Sequence, residues 1–139
     1  MKRATLSFTL RNHMTELKKI HGFCETFSGM QGLSKKTRFQ IILCIEEQVT
    51  NIITHGYQDC DEHWIKIALS TMKADTLVVC IEDDGLPFNP VEASTPDLEE
   101  PLEDRKIGGL GIHLTKQFMD KIEYQRRGTS NVLVMTKNL

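Results

Sequence analysis

The segment between Ser34 and Gly56 most constrains the fold of this 139-residue chain. Its apolar residues, among them Ile42 and Ile45, recur at the spacing of a helix with one buried face. Ser is a preferred residue at a helix N-cap, and Gly commonly follows the last helical residue. The pattern therefore predicts a single long helix that begins after Ser34, ends near His55 and needs a second layer to cover it.

Strand patterns elsewhere in the chain supply that second layer. Ala4–Leu10 and Trp64–Thr71 alternate apolar and polar residues, as half-buried strands do. Leu77–Ile81 is apolar throughout, which predicts a central strand covered on both faces. Two further strands joined by a short Gly-containing turn predict a hairpin. The remaining predicted elements are two helices, Met14–Phe27 and Gly111–Met119, and the hairpin strands Lys121–Arg127 and Asn131–Lys137.

Composition narrows the class of protein. The length corresponds to one domain, and the net charge of −2 does not fit sequence-independent binding to nucleic acid. No apolar run approaches the roughly 20 residues that cross a bilayer, and no export signal is visible. The four cysteines form no CxxC pair, so we expect free thiols in a reducing cytoplasm.

A long acidic segment separates the central strand from the third predicted helix. All four prolines of the chain and six carboxylates lie between Gly85 and Lys106. A connection of this length without periodicity is usually functional or disordered. Two interpretations stay open on composition: a solvated acidic loop, or a lid over a ligand that spans about residues 85–108.

A polar stripe runs along the long predicted helix. Glu47, Asn51 and His55 are spaced by four residues and so share one side of the helix. The stripe is either a solvated face or a site in which the Asn51 amide oxygen binds Mg²⁺ and Glu47 accepts a proton. Glu46 points about 100° away, nearer the edge of the core, and is interpreted as structural.

Two glycine-containing turns carry further candidate chemistry. Asp83 and Gly85 follow the central strand, where a carboxylate can accept hydrogen bonds from an exocyclic amine and a glycine lets a flat ring approach the backbone. Each of these features also occurs in ordinary turns. Gly108-Gly109-Leu110-Gly111 opens the third helix, and free amide groups at a helix N-terminus attract anions.

Together these stretches resemble the nucleotide-binding boxes of a known superfamily. Glu47-x-x-x-Asn51-x-x-x-His55-Gly56, Asp83-x-Gly85 and Gly109-x-Gly111 are similar to the N, G1 and G2 boxes of the ATPases that include gyrase, histidine kinases and MutL. The runs around Glu47, Asp83 and Asn131 look like the anti-sigma-factor serine kinases of bacterial partner-switching systems. The resemblance covers essentially the whole chain.

The resemblance implies a fold and a ligand. The fold is the Bergerat ATP-binding fold, an α/β two-layer sandwich in which three helices cover one face of a mixed, mostly antiparallel sheet of about five strands. It implies a single domain over residues 1–139. ATP and Mg²⁺ would lie between the long helix, the lid and the start of the third helix.

The resemblance also assigns roles to individual residues. Asp83 would bind the adenine amine with Thr136 close by, Asn51 would coordinate Mg²⁺, and Glu47 would be the catalytic base. The complete set of cofactor-binding residues that it implies is Asn51, His55, Asp83, Gly85, Gly108, Gly109, Leu110, Gly111 and Thr136.

Two classes of function follow as alternatives. The first is a serine/threonine protein kinase that phosphorylates a STAS-domain anti-anti-sigma partner and sequesters a sigma factor or an equivalent regulator. The second is a nucleotide-binding module that sequesters a partner without significant kinase activity. Glu47 favours the kinase, because a binding module needs no base there. We expect a homodimer, with no direct contact to nucleic acid or membrane.

Overall fold

The computed structural model describes residues 4–73, 75–92 and 109–139, and only the backbone of residues 109–112. Five strands and three helices form the two layers of a sandwich. The strands are β1 (Thr5–Arg11), β2 (Trp64–Thr71), β3 (Thr76–Asp83), β4 (Lys121–Arg127) and β5 (Ser130–Asn138). The helices are α1 (Lys18–Gln31), α2 (Lys35–His55) and α3 (Gly109–Phe118), with short 3-10 turns at Met14–Glu16 and Pro90–Glu92.

Local capping explains where the first two helices end or begin. The Ser34 hydroxyl accepts a hydrogen bond from the Thr37 amide at 3.1 Å, which confirms the predicted N-cap of α2. α1 begins later than predicted, after a 3-10 turn, and continues beyond Phe27 to Gln31. It ends at Gly32, whose φ of 66° is the left-handed conformation that glycine adopts without strain.

The sheet has the strand order β1-β2-β3-β5-β4. All four pairings are antiparallel, so the parallel pairing that a mixed sheet would contain is absent from the described strands. β4 and β5 form a hairpin through Gly128, which has a φ of 58°. This topology brings the end of β3 beside the start of β5.

The hydrophobic core lies between the helices and one face of the sheet. Phe27 and Ile45 from the helices and Ile67 and Ile81 from the strands are at most 1% exposed. Along β3, burial alternates residue by residue, so the prediction that this strand is covered on both faces is wrong. β-branched residues fit an open pleated face as well as a covered one, and the continuous apolar run therefore misled the prediction.

Among the described residues, none of the helices has the length and apolar character that a bilayer crossing requires.

Candidate functional site

A buried carboxylate ends the central strand. Asp83 is 6% exposed, and its Oδ1 accepts hydrogen bonds from the Gly85 amide at 2.8 Å and from Asn131 Nδ2 at 3.0 Å. Burial raises the pKa of the Asp83 carboxyl, while these two donors and the nearby Arg126 charge oppose the rise. The hydrogen bonds therefore favour the ionised carboxylate, but burial outweighs them, and the pKa of Asp83 is raised overall.

The turn after β3 packs directly on the end of α2. The Leu86 amide donates to the Gly56 carbonyl at 2.7 Å. A Cβ at Gly85 would lie 2.6 Å from that same carbonyl oxygen, so only glycine permits this approach. The contact couples two of the predicted motifs, because it ties the Asp83 turn to the residue that follows His55.

The β4–β5 hairpin holds the other side of the turn. Asn131 Nδ2 donates to the Leu86 carbonyl at 2.9 Å in addition to Asp83. Arg126 Nη1 donates to the Gly85 carbonyl at 2.7 Å and to Asn131 Oδ1 at 3.1 Å. We refer to residues 83–86 together with Asn131 and Arg126 as the strand wall. Its polar groups are largely satisfied within the protein.

The polar stripe of α2 forms a second surface. Burial raises the pKa of the Glu47 carboxyl, and a side-chain hydrogen bond with Asn51 partly opposes this rise. We refer to Glu47 and Asn51 as the helix wall. Glu47 lines a small cleft between α2 and α3 together with Leu43, Cys44, Leu114, Thr115 and Phe118.

Neighbouring residues of α2 play different parts. Glu46 Oε1 lies 2.6 Å from His21 Nε2 and so links α2 to α1, which fits the structural role predicted for it. Gln48 is buried, and its amide donates to Thr115 Oγ1 at 3.3 Å, which holds α3 against α2. His55 is exposed at the helix end, where the contact with the Asp83 turn is made by the Gly56 backbone.

α3 begins two residues earlier than predicted, at Gly109. Gly109, Leu110 and Gly111 therefore occupy its first turn, where backbone amides lack partners within the helix. Gly108 lies outside the described residues, as does most of the predicted lid, residues 93–108.

The positions along α2 follow a simple order. Asn51 precedes Gly56 by five residues, about 7.5 Å along the axis, and Glu47 precedes it by nine, about 13.5 Å. The strand wall is attached at Gly56, and α3 packs near Glu47 and Gln48. The site is thus an elongated surface with the buried carboxylate at one end and the half-buried Glu47 at the other.

Comparison with protein families identifies the domain. The profile of the histidine kinase-like ATPase domain matches residues 10–137. The chain belongs to this family. Every one of the predicted site residues lies within the matched range.

Two relatives show which members of the family are similar to this chain. The serine/threonine-protein kinase BtrW of Bordetella bronchiseptica is 31% identical over 105 residues, which cover 76% of this chain and 73% of the relative. An anti-sigma F factor of Clostridium perfringens is 28% identical over 96 residues, which cover 68% of each chain.

Solved structures agree on the fold. The RsbU and RsbW domains of Rv1364c from Mycobacterium tuberculosis align with a TM-score of 0.69 at 14% identity, over 96% of this chain and 32% of that longer chain. The SiaB–SiaC complex of Pseudomonas aeruginosa aligns with a TM-score of 0.61 at 11% identity, over 96% of this chain and 89% of the other. These likenesses confirm the predicted sandwich of a five-stranded sheet and three helices.

One residue of the predicted site is not where the resemblance implied. Thr136 pairs with Val78, whereas the residue opposite Asp83 is Asn131. Five residues of an extended strand separate Thr136 from Asn131, about 17 Å, and the odd spacing turns Thr136 to the other face of the sheet. The expectation that Thr136 lies close to Asp83 is therefore wrong, because the register of β5 brings a different residue there.

Sequence reasoning missed Asn131 and Arg126 as members of the site. One signal for Asn131 was present: it begins the buried face of β5, which continues with Leu133 and Met135, and a polar residue in such a row needs a buried partner. Arg126 gave no comparable signal, since basic residues are common on edge strands.

Proposed function

We propose that this protein is an ATP- and Mg²⁺-dependent serine/threonine kinase of the partner-switching type. Its substrate would be a STAS-domain anti-anti-sigma protein, and it would also sequester a sigma factor or an equivalent regulator. The observation that carries the proposal is the order along α2, from the buried Asp83 turn at Gly56 through Asn51 to Glu47. This order matches that of the adenine ring, the metal-bound phosphates and the transferred phosphate along an extended ATP.

Nucleotide binding starts from the strand wall. An ionised Asp83 accepts a hydrogen bond from the 6-amino group of adenine and disfavours a carbonyl oxygen at that position. Gly85 lets the turn that carries Asp83 pack closely on the Gly56 carbonyl. At the other end, the first turn of α3 offers unpaired amides and the positive end of a helix dipole to the phosphates.

The helix wall fits a magnesium ion shared with the nucleotide. The Asn51 side chain opposes the rise in the pKa of Glu47, and its amide oxygen would be the metal ligand. No cluster of three or more acidic, His or Cys residues able to hold a metal occurs among the described residues. Mg²⁺ usually relies on one or two protein ligands, waters and substrate phosphates, so Asn51 together with the nucleotide would suffice to hold it. When bound, the ion would neutralise charge that develops on the phosphates.

Glu47 would serve as the base in the transfer step. Its carboxylate takes the proton of the attacking Ser or Thr hydroxyl while the oxygen forms a bond to the γ-phosphorus, and the bond from that phosphorus to the ADP oxygen breaks. A raised pKa makes Glu47 a stronger proton acceptor than an exposed carboxylate. Because the rest of the catalysis is positioning, the two walls and a metal ion would supply the minimum set of groups that phosphate transfer needs.

The choice of partner draws on the relatives. One is named a serine/threonine-protein kinase and another an anti-sigma F factor. The same resemblance leads us to expect a homodimer that works in the cytoplasm, and sedimentation of the purified protein tests the oligomeric state.

Transfer of labelled phosphate tests the proposal. The purified protein is incubated with γ-labelled ATP, Mg²⁺ and STAS-domain proteins from the same genome, and labelled Ser or Thr is located by mass spectrometry. We expect label on one Ser or Thr of a STAS protein, and labelling slower by at least about a hundredfold when the Glu47→Gln variant is used. ATP binding without any transfer would support the nucleotide-binding module instead, and absence of ATP binding would overturn both.

A further inference from the structure

The side-chain amide of Asn131 has a single possible orientation. Its Oδ1 accepts from the Tyr124 hydroxyl at 2.5 Å and from Arg126 Nη1 at 3.1 Å. Its Nδ2 faces acceptors, namely Asp83 Oδ1 and the Leu86 carbonyl. Since a guanidinium can only donate and a carbonyl can only accept, exchanging the amide's two ends would break contacts on both sides.

This orientation determines how Asp83 presents its carboxylate. Oδ1 is occupied by two donors, the Gly85 amide and Asn131. None of the described residues donates a hydrogen bond to Oδ2. The two oxygens of a carboxylate are equivalent and its terminal torsion is broad, so the donors on Oδ1 are what fix the direction of the second oxygen. With Asn131 in place, Oδ2 is the oxygen left for an incoming amine.

We infer that Asn131 is a positioning residue that sets which purine the nucleotide site prefers. It does so by holding Asp83 Oδ2 toward the 6-amino group of the purine. The inference rests on the proposed binding of ATP. Asn131 itself has its donors and acceptors engaged within the protein and acts through Asp83. Tyr124 and Arg126 act one step further away, since they hold Asn131.

Energetics support a measurable effect. Removing Asn131 leaves Asp83 with one fewer donor in a buried place, where desolvation favours the neutral carboxyl. The carboxyl would then rotate or gain a proton, and either change weakens its hydrogen bond with an amine. A purine that lacks the amine makes no such bond and should be indifferent to the change.

Comparing the affinities for two nucleotides distinguishes the positioning role from a general loss of structure. Binding of ATP and of purine riboside triphosphate, which lacks the 6-amino group, is measured by calorimetry on the full chain and on Asn131→Ala. We expect ATP affinity to fall about tenfold and the affinity for purine riboside triphosphate to change less than about twofold. Asn138→Ala, the same substitution at the far exposed end of β5, should leave the ratio of the two affinities unchanged.

A double-mutant comparison completes the test. In an Asp83→Asn background, Asn131→Ala should no longer alter the ratio, because the residue through which it acts is gone. If Asn131→Ala fails to fold, Tyr124→Phe removes only one donor to Asn131 and should lower the same ratio by a smaller factor. An unchanged ratio in the folded variants, with ATP still bound by the wild type, overturns the inference alone. Failure of the wild type to bind ATP overturns the inference and the proposed function together.

Discussion

The strand wall and the helix wall, which we propose bind one nucleotide, are built in opposite ways. In the strand wall, Asp83 and Asn131 are at most 6% exposed and bonded to each other. In the helix wall, Glu47 is half-buried, and the Asn51 side chain opposes the rise in its pKa. Burial raises the pKa of both carboxyls, but the opposing donors are more numerous at Asp83.

The difference in hydrogen bonding between the two carboxylates suits one to binding a ligand and the other to accepting a proton. A carboxylate that recognises a ligand gains from donors that fix its charge and direction. A carboxylate that must take up a proton gains from a raised pKa and few fixed partners. The same residue type therefore suits two roles, and the surroundings decide which role it has.

The largest effect is expected from a variant that loses phosphate transfer but still binds ATP. Glu47→Gln removes the proton acceptor but keeps the shape of the side chain, so transfer of phosphate should fall by about 10²–10⁴-fold. Affinity for Mg²⁺-ATP should stay within a few-fold of wild type. Initial rates with a STAS protein and calorimetry measure the two quantities.

The neighbouring Glu46→Gln is the matched control. It weakens the contact with His21 on α1 and should leave the rate of transfer near that of the wild type. A rate that falls with Glu46→Gln and persists with Glu47→Gln would assign the base to the other glutamate.

A second variant tests the metal role of the helix wall. Asn51→Ala removes the proposed ligand oxygen, so ATP binding in Mg²⁺ should weaken by roughly tenfold to a hundredfold. In EDTA the same variant should bind ATP almost as the wild type does. Equal losses in the two conditions would contradict a metal role for Asn51.

The packing of the strand wall on α2 can be broken with one methyl group. Gly85→Ala puts a Cβ 2.6 Å from the Gly56 carbonyl and should lower the free energy of unfolding by about 1–3 kcal/mol. Gly29→Ala is the control, because nothing lies within 4 Å of its new methyl, and alanine there should stabilise α1 by up to about 1 kcal/mol. Urea unfolding measures both, and similar destabilisation in the two variants would argue against the close contact.

The smallest effect concerns pH. His63 lies between Asp59, 2.7 Å from Nε2, and Asp84, 3.1 Å from Nδ1, and these hydrogen bonds raise the pKa of its imidazole, with Asp59 as the larger cause. Because the folded pKa exceeds the unfolded one, the contribution to stability is complete below the unfolded pKa of about 6.5 and is lost as the pH rises through the folded pKa.

Thermal unfolding of wild type and His63→Gln at several pH values measures this contribution. The wild type should be the more stable at pH 6, and the gap should narrow in alkaline solution. Since both ion pairs are partly exposed, we expect a small shift. A gap that widens with rising pH would contradict the assignment.

Local signals explain most of what could be predicted. The bounds of α2, β2 and β4 follow from capping residues and from the spacing of apolar residues. Both signals depend only on residues that are close together in the sequence. α1 was predicted to end too early, because Gly29 resembles a helix stop although the buried face continues to Gln31. β3 was predicted too short, because Asp83 looks like a turn residue when its buried partners are unknown.

By itself, the sequence determined the set of helices and strands and placed the candidate residues Glu47 and Asn51 on the long helix. Asp83, predicted to follow the central strand, is instead its last residue. Only the tertiary structure decided which residues surround them. Asn131 bonds to Asp83 across 48 positions of sequence, and that contact depends on the pairing register of β3 and β5. The sequence of a strand does not say which residue of a distant strand lies opposite each of its own, so the choice between Asn131 and Thr136 required the folded sheet.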